Sequence, residues 1–450
     1  MATARARAVL AAGIAVVALA GILILGVPLD ERHTESGPAA PGATRLATPT
    51  SVTSSAAEES AAETARAREI SALLTRRATA LRERDEQAFL ASLDPKADPA
   101  FRTAQQAMFR NLADVPLAEW RYQVATEPVA DVAALSSTER LAAPRVDLVY
   151  ALAGADQRPT TRPMGYLFVQ RAGQWYLRSD TELAELGVDT WRGPWDFGPC
   201  VVFRAESGLV ISHPSRVATA RRLTAELDAA VAAVTEVWGP AWAGTAALWL
   251  PETAEEMRAL VGPKFSTEGI VAVAVADRVN EADRTARGQR VVFTPGGAEQ
   301  LSDTALRVVL RHELAHIATR GQTVDGAPKW LLEGFADYVG YRGTTVPMTY
   351  AAPALAALVR AEGPPEEFPT DADFHGDTHP LDLAYQLSWS VSSYIVEEYG
   401  EPRLLELYRE VAALGPAGRP AVDAAIREVL GVPRAELVAG WRDYLRRVFD

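Results

Sequence analysis

Arg311-His312-Glu313-Leu314-Ala315-His316 closes an apolar segment, residues 301–310, whose hydrophobic positions recur at helical spacing. Two histidines four residues apart lie about one turn apart on one helix face, so both imidazoles can reach a single metal ion. Glu313 follows the first histidine directly, where its carboxylate meets a water on that metal rather than the metal. Zn2+ lowers the pKa of such a water and polarises a carbonyl, and a nearby carboxylate accepts the proton as attack begins. Ser302, three residues before Ala305, is a suitable N-cap. A buried apolar helix is a costly place for two histidines and a glutamate unless they are paired or bound to something.

The next landmark is Pro328-Lys329-Trp330-Leu331-Leu332-Glu333-Gly334-Phe335-Ala336-Asp337-Tyr338. Glu333 lies seventeen residues beyond His316, room for the first helix to end near Arg320-Gly321, a loop through Asp325-Gly326, and a returning helix. Glu333 and Asp337 are again four apart. Glu333 can complete a set of two histidines and one glutamate, with water as fourth ligand. Asp337, one turn on, is placed to accept the outward N–H of a liganding histidine, His312 by preference, which fixes its tautomer. Gly334 and Ala336 are small where two helices must approach.

Together the two motifs resemble the gluzincin branch of the HExxH zinc metallopeptidases, and within it the bacterial peptidase MA-like group. The resemblance extends over roughly residues 209–450. It implies an α/β lobe before the metal helix and helices after it, with His312, His316 and Glu333 as zinc ligands, Glu313 as general base and Asp337 supporting a ligand. It also implies an oxyanion stabiliser on a later helix. Tyr385, in Leu383-Ala384-Tyr385-Gln386-Leu387-Ser388-Trp389, is the candidate. His375 and His379 are its rivals, and with Asp373 or Asp377 they form an alternative second metal site. The family further implies a strand beside the metal helix that pairs with substrate backbone, for which residues 270–276 and 290–293 both qualify.

The remainder of the second unit, residues 201–450, reads as strands at 201–203, 209–211 and 246–250. Helices are expected over 217–238 and from Pro251 to residue 260, with mainly helix after Ser302. The mixed-charge run 277–284 reads as an exposed loop. His213 is expected to cap a strand and not to be a ligand.

Upstream, residues 61–190 form a first unit, with one long helix over 63–91 and a shorter one over 101–112. Strands follow at 120–124, 145–150, 164–169 and 174–177, the last two joined by a turn at Arg171-Ala172-Gly173. Helices followed by antiparallel strands resemble the NTF2-like cone fold, which implies an accessory, non-catalytic module. Residues 191–200, rich in Gly, Pro and Trp, are the junction, where Trp191 and Trp195 suit interdomain packing. The expected class is α+β.

Residues 8–29 carry no charge, follow Arg5 and Arg7, and suit the roughly 20 helical residues that span a bilayer. The expectation is a retained transmembrane helix after a cytoplasmic N-terminus at residues 1–7. A Pro/Ser/Thr/Ala-rich linker at 30–60 and extracellular domains would follow. The alternative is a cleaved signal peptide.

The 450 residues are 48% hydrophobic and 23% charged, a globular composition with material for more than one core. With 58 acidic against 45 basic residues, only three of them lysine, the formal net charge is −13, which disfavours a general grip on nucleic acid. One cysteine, Cys200, excludes an intrachain disulfide and any multi-cysteine metal site. The functional expectation is zinc-dependent hydrolysis of peptide bonds in peptides or proteins outside the membrane. The alternative is a catalytically inactive, zinc-containing envelope protein that binds peptides or proteins.

Overall fold

Strands whose successive residues are all apolar must be covered on both faces, and Gly208–Ser212 and Ala246–Leu250 are buried at every position. The computed structural model, which describes residues 52–135, 137–262, 269–375 and 381–449, shows what covers them. The apolar segment at residues 8–29 and most of the linker lie outside the described residues, and no described helix is long and apolar enough to cross a membrane.

The first unit comprises α1 (Val52–Arg82), α2 (Glu86–Leu90), α3 (Pro99–Asn111), β1 (Leu117–Pro128), β2 (Leu141–Ala142), β3 (Pro144–Leu152), β4 (Thr160–Met164), β5 (Leu167–Arg171) and β6 (Gln174–Ser179). Its strands form two antiparallel sheets, in the orders β1-β3-β4 and β2-β5-β6. The turn between β5 and β6 has positive φ at both Ala172 and Gly173, the twist that suits a two-residue hairpin.

Two expectations are corrected here. The long helix begins at Val52, inside the stretch read as linker, and stops at Arg82 rather than 91, because Arg84 takes a left-handed φ of 61° and Asp85 caps a new helix by accepting from the Ala88 amide. The run 164–169 is not one strand. At Gly165 the chain crosses from one sheet to the other, so close to the 187–189 turn that a Cβ would stand 2.6 Å from the Val188 carbonyl oxygen.

The second unit opens with β7 (Val201–Ala205), β8 (Gly208–Ser212), α4 (Val217–Trp238), β9 (Ala246–Leu250) and α5 (Ala254–Val261). It continues through β10 (Ala272–Val275), β11 (Arg278–Asn280), β12 (Thr285–Arg287) and β13 (Arg290–Phe293). After these come α6 (Asp303–Thr319), α7 (Lys329–Tyr341), α8 (Met348–Ala351), α9 (Pro353–Glu362), α10 (Leu381–Tyr399), α11 (Glu401–Ala413), α12 (Arg419–Leu430) and α13 (Arg434–Phe449). The class is thus mixed α+β with a helical C-terminal region. Five strands make one mixed sheet in the order β10-β13-β9-β8-β7, with β10 antiparallel at one edge.

The sheet divides the interior. Val210, Leu248, Leu250, Val291 and Phe293 point to the core that α4, α6 and α7 complete. Leu209, Ile211, Trp249, Val273 and Val292 alternate to the other face and join the core of the first unit, continuous with Trp120, Tyr150 and Trp195. Trp191 stacks on Tyr150 with centroids 5.3 Å apart, and Trp195 meets Trp120 edge-on at 5.6 Å. The two units therefore share one hydrophobic layer rather than meeting at a thin joint.

Two more expectations change. Helix α5 starts after Thr253, whose hydroxyl accepts from the Glu256 amide at 3.1 Å, and not at Pro251. The run 277–284 is largely exposed as expected, but 278–280 forms β11, which pairs with β12 just beyond the run, and the Asp277 side chain is fully buried.

Candidate metal centre

Ser302 caps α6 by accepting from the Ala305 amide, and the helix runs through His312, Glu313 and His316 with Leu306, Leu310 and Leu314 on its core side. The chain turns at residues 320–322 and returns as α7, bringing Glu333 and Asp337 to face it. The α7–α10 contact is made at Gly334, where a Cβ would stand 2.3 Å from the Ser388 carbonyl oxygen. Below α6, the Tyr408 hydroxyl lies 3.0 Å from Thr319 Oγ1 and 3.1 Å from Thr323 Oγ1, fastening the end of the helix.

Three donor atoms converge between the helices. His312 Nε2 and His316 Nε2 are 3.0 Å apart, and Glu333 Oε2 is 3.4 Å from the first and 3.5 Å from the second. Tetrahedral ligands at about 2.0–2.1 Å from a zinc ion stand roughly 3.3 Å from one another, so the spacing suits one ion. His312 Nδ1 lies 2.9 Å from Asp337 Oδ1 and so donates its proton there, which turns the Nε2 lone pair toward the other two donors. All three donors are buried, and the Glu333 oxygen has no hydrogen-bond partner. A bound cation would take the place of the proton that His312 otherwise shares with these donors. Among the described residues this is the one such group of three that could hold a metal.

The charges of the cluster are strongly displaced. Burial works to lower the His312 pKa, but the Asp337 and Glu333 carboxylates outweigh it and bring it to about 10. His316 is lowered by burial. Glu333 is raised by burial, but the two histidines prevail and hold it well below the usual carboxylate range. Asp337 is raised by burial against the pull of His312.

Glu313 is 0% exposed, and neither of its oxygens has a hydrogen-bond partner. Burial raises its pKa to about 8. The Ala274 main chain on β10 works against that rise without meeting hydrogen-bond geometry. Tyr385 on α10 is buried beside the cluster, its ring centroid 6.4 Å from that of His312 and 5.3 Å from that of Phe374. Burial, with Glu333, Asp337 and Glu313 nearby, holds its hydroxyl well above the ordinary tyrosine value, so it stays protonated.

The structure thus brings His312, Glu313, His316, Glu333, Asp337 and Tyr385 to one place. His375 ends a short 3-10 turn at Asp371–His375, while Asp377 and His379 lie outside the described residues. His213 stands elsewhere, between the Pro199 carbonyl and Glu256. Of the two candidate strands beside the metal helix, the one at residues 290–293 is interior and β10 is the edge. Sequence reading missed the Phe374 ring and the Tyr408 hydroxyl. Their partners, at 385 and at 319 and 323, are distant in sequence, and no local pattern marks them.

No family model and no curated protein matches this sequence. Two solved structures of a mutant M1 zinc metallopeptidase from Deinococcus radiodurans are similar in part, one of them bound to a Tyr-Ser-Ala substrate. Identity is 14% and 13%, the TM-score is 0.34 in each case, and the match covers 61% of this chain and 58% of that chain. The likeness is distant.

Proposed function

We propose that the protein is a zinc-dependent peptidase, a gluzincin of the peptidase MA-like kind, with His312, His316 and Glu333 holding the ion. The observation that carries this reading is the triangle of buried donors at 3.0–3.5 Å with the unpartnered Glu313 carboxylate one residue along the same helix. A bound zinc ion would supply Lewis-acid polarisation of the scissile carbonyl and acidify water.

The chain's own groups account for the rest. Asp337 keeps His312 in the tautomer that presents Nε2. Glu313, buried one residue along the helix from His312 with neither oxygen hydrogen-bonded, accepts the proton of the attacking water as the carboxylate and passes it to the leaving amine. Tyr385, protonated and beside the donors, gives a hydrogen bond to the developing oxyanion. β10, the edge strand among the described residues and packed against the helix that carries Glu313, offers a row of N–H and C=O groups to an extended peptide.

In this reading the first unit is an NTF2-like accessory module, and residues 8–29 anchor the chain with both units outside the cell membrane. Its support is the composition and order of the sequence. The competing reading, an inactive zinc-containing binder, is separated by one experiment. The full chain in detergent is incubated with a mixed peptide library, with and without a chelator, and the products are read by mass spectrometry. Chelator-sensitive cleavage supports the peptidase, whereas zinc-loaded protein that cleaves nothing supports the binder.

A further inference from the structure

The edge of the sheet nearest the metal centre runs on beyond the sheet. β10 pairs with β13 up to Val275↔Arg290, and β11 with β12 from Arg278↔Arg287. Three residues on from Val275 is Arg278, and three back from Arg290 is Arg287, so the two ladders share one register across a short break and together form a bent antiparallel hairpin. Its tip rests on the turn after α6, where a Cβ on Gly321 would stand 2.4 Å from the Arg284 carbonyl oxygen. Among the described residues β10 has one strand neighbour, and it packs against α6, the helix that carries Glu313. Where β10 sits is therefore where any chain paired to it must sit.

Each strand of this ribbon is tied to the first unit by a buried ion pair. Arg162 on β4 donates to Asp277, at the joint of β10 and β11, and the Asp277 side chain is 0% exposed. Arg290 on β13 grips Asp156 with two hydrogen bonds of 2.6 and 2.7 Å. Opposite Asp277, Gly288 adopts φ +60°, and a Cβ there would collide with the carboxylate, so the ribbon is shaped to admit it. An apolar seam could bury the same surface. A buried ion pair gains little net energy over such a seam, because desolvation offsets the attraction, but it fixes which atom meets which.

We propose that Arg162 is a positioning residue for the metal centre. Through Asp277 it holds β10 in line beside Glu313, so the first unit sets the track along which an extended peptide is bound. This rests on the peptidase reading above. It gives the first unit a part in substrate binding that a separable spacer would not have.

The test uses the full chain with Arg162→Ala, Asp277→Asn and the two combined. Bound zinc should stay as in the unaltered protein, and amides of residues 272–280 should exchange with deuterium faster. For a peptide of about ten residues drawn from the cleaved library, KM should rise roughly tenfold while kcat changes by less than about threefold. The double variant should be no worse than either single one, since both break the same contact. Unchanged exchange, an unchanged KM, additive effects, or zinc lost along with kcat would each overturn the proposal. If the unaltered protein cleaves no peptide, the peptidase reading fails separately, and the exchange experiment alone decides whether Arg162 anchors β10.

Discussion

His312 Nδ1 lies 2.9 Å from Asp337 Oδ1, a contact between α6 and α7 made wholly inside the protein. It commits the outer nitrogen to a carboxylate and leaves the inner one facing His316 and Glu333. Changing Asp337→Asn keeps the shape but lets the amide turn either way. Zinc affinity should fall by about 10–100-fold, measured by competition with a fluorescent chelator. An affinity equal to wild type would show that the carboxylate does not govern the ligand.

Removing a donor should do more than weaken the site. His316→Ala and Glu333→Gln each leave two ligands, and metal analysis should drop from about one zinc per chain to near zero. Adding zinc to the chelated wild-type protein should raise its melting temperature, because the ion binds the folded state alone. Full metal content in either variant would disprove the ligand assignment.

Glu313 and Tyr385 should separate chemistry from binding. Glu313→Gln should hold zinc normally yet lose turnover. Tyr385→Phe keeps the ring packed between His312 and Phe374, so a loss of roughly 10²–10³ in kcat with little change in KM would be the cost of the missing hydroxyl. A near-normal kcat for Tyr385→Phe would reduce that tyrosine to a packing role and direct attention to His375 and His379.

Gly334 permits the close approach of α7 to α10, with Ser388 O and Ser392 Oγ at 2.3 and 2.7 Å from the place a Cβ would occupy. Gly334→Ala should push the helices apart and destabilise the protein by about 1–3 kcal/mol, despite the better helix propensity of alanine. Zinc affinity should fall with it, because Glu333 moves too. Chemical denaturation and zinc titration of the variant check both outcomes.

A separate pH effect is expected at the junction. His213 is buried with Nδ1 3.0 Å from the Pro199 carbonyl and Nε2 2.8 Å from Glu256, so both nitrogens face acceptors. Burial disfavours the charged ring, but Glu256, the Pro199 carbonyl and Glu252 prevail and raise its pKa. The folded state therefore holds this proton more tightly than the unfolded one. The stabilisation is complete below the ordinary value of about 6.5 and is lost as pH rises through the raised value. The melting temperature should decline over that window, and His213→Ala should flatten the decline while lowering the acid-side plateau. An identical pH profile in the variant would remove His213 as the cause.

Much of the centre could be read in advance because its geometry is local. Two histidines four apart on a helix share a face wherever that helix lies, and Glu333 with Asp337 repeats the spacing on the next one. The buried strands at 209–211, 246–250 and 290–293 were equally plain, since apolar runs of this kind have few other places to go. What misled were positions where one residue overrides a pattern. The helical periodicity up to residue 91 ignores the left-handed Arg84, and the charges of 277–284 conceal strand β11 and a buried aspartate.

The chain's local order was enough to place His312, His316 and Glu333 together, with the helix–loop–helix that carries them, and to indicate the α+β class, because the site depends on spacings of a few residues along each helix. Which strand lies at the edge, that Phe374 packs on Tyr385, and that Arg162 meets Asp277 across 115 positions came from the folded molecule alone. Long-range pairs leave no periodic trace in a single sequence. They are selected when two faces of one sheet are buried at once, with helices α4 and α6 on one side and the first unit on the other.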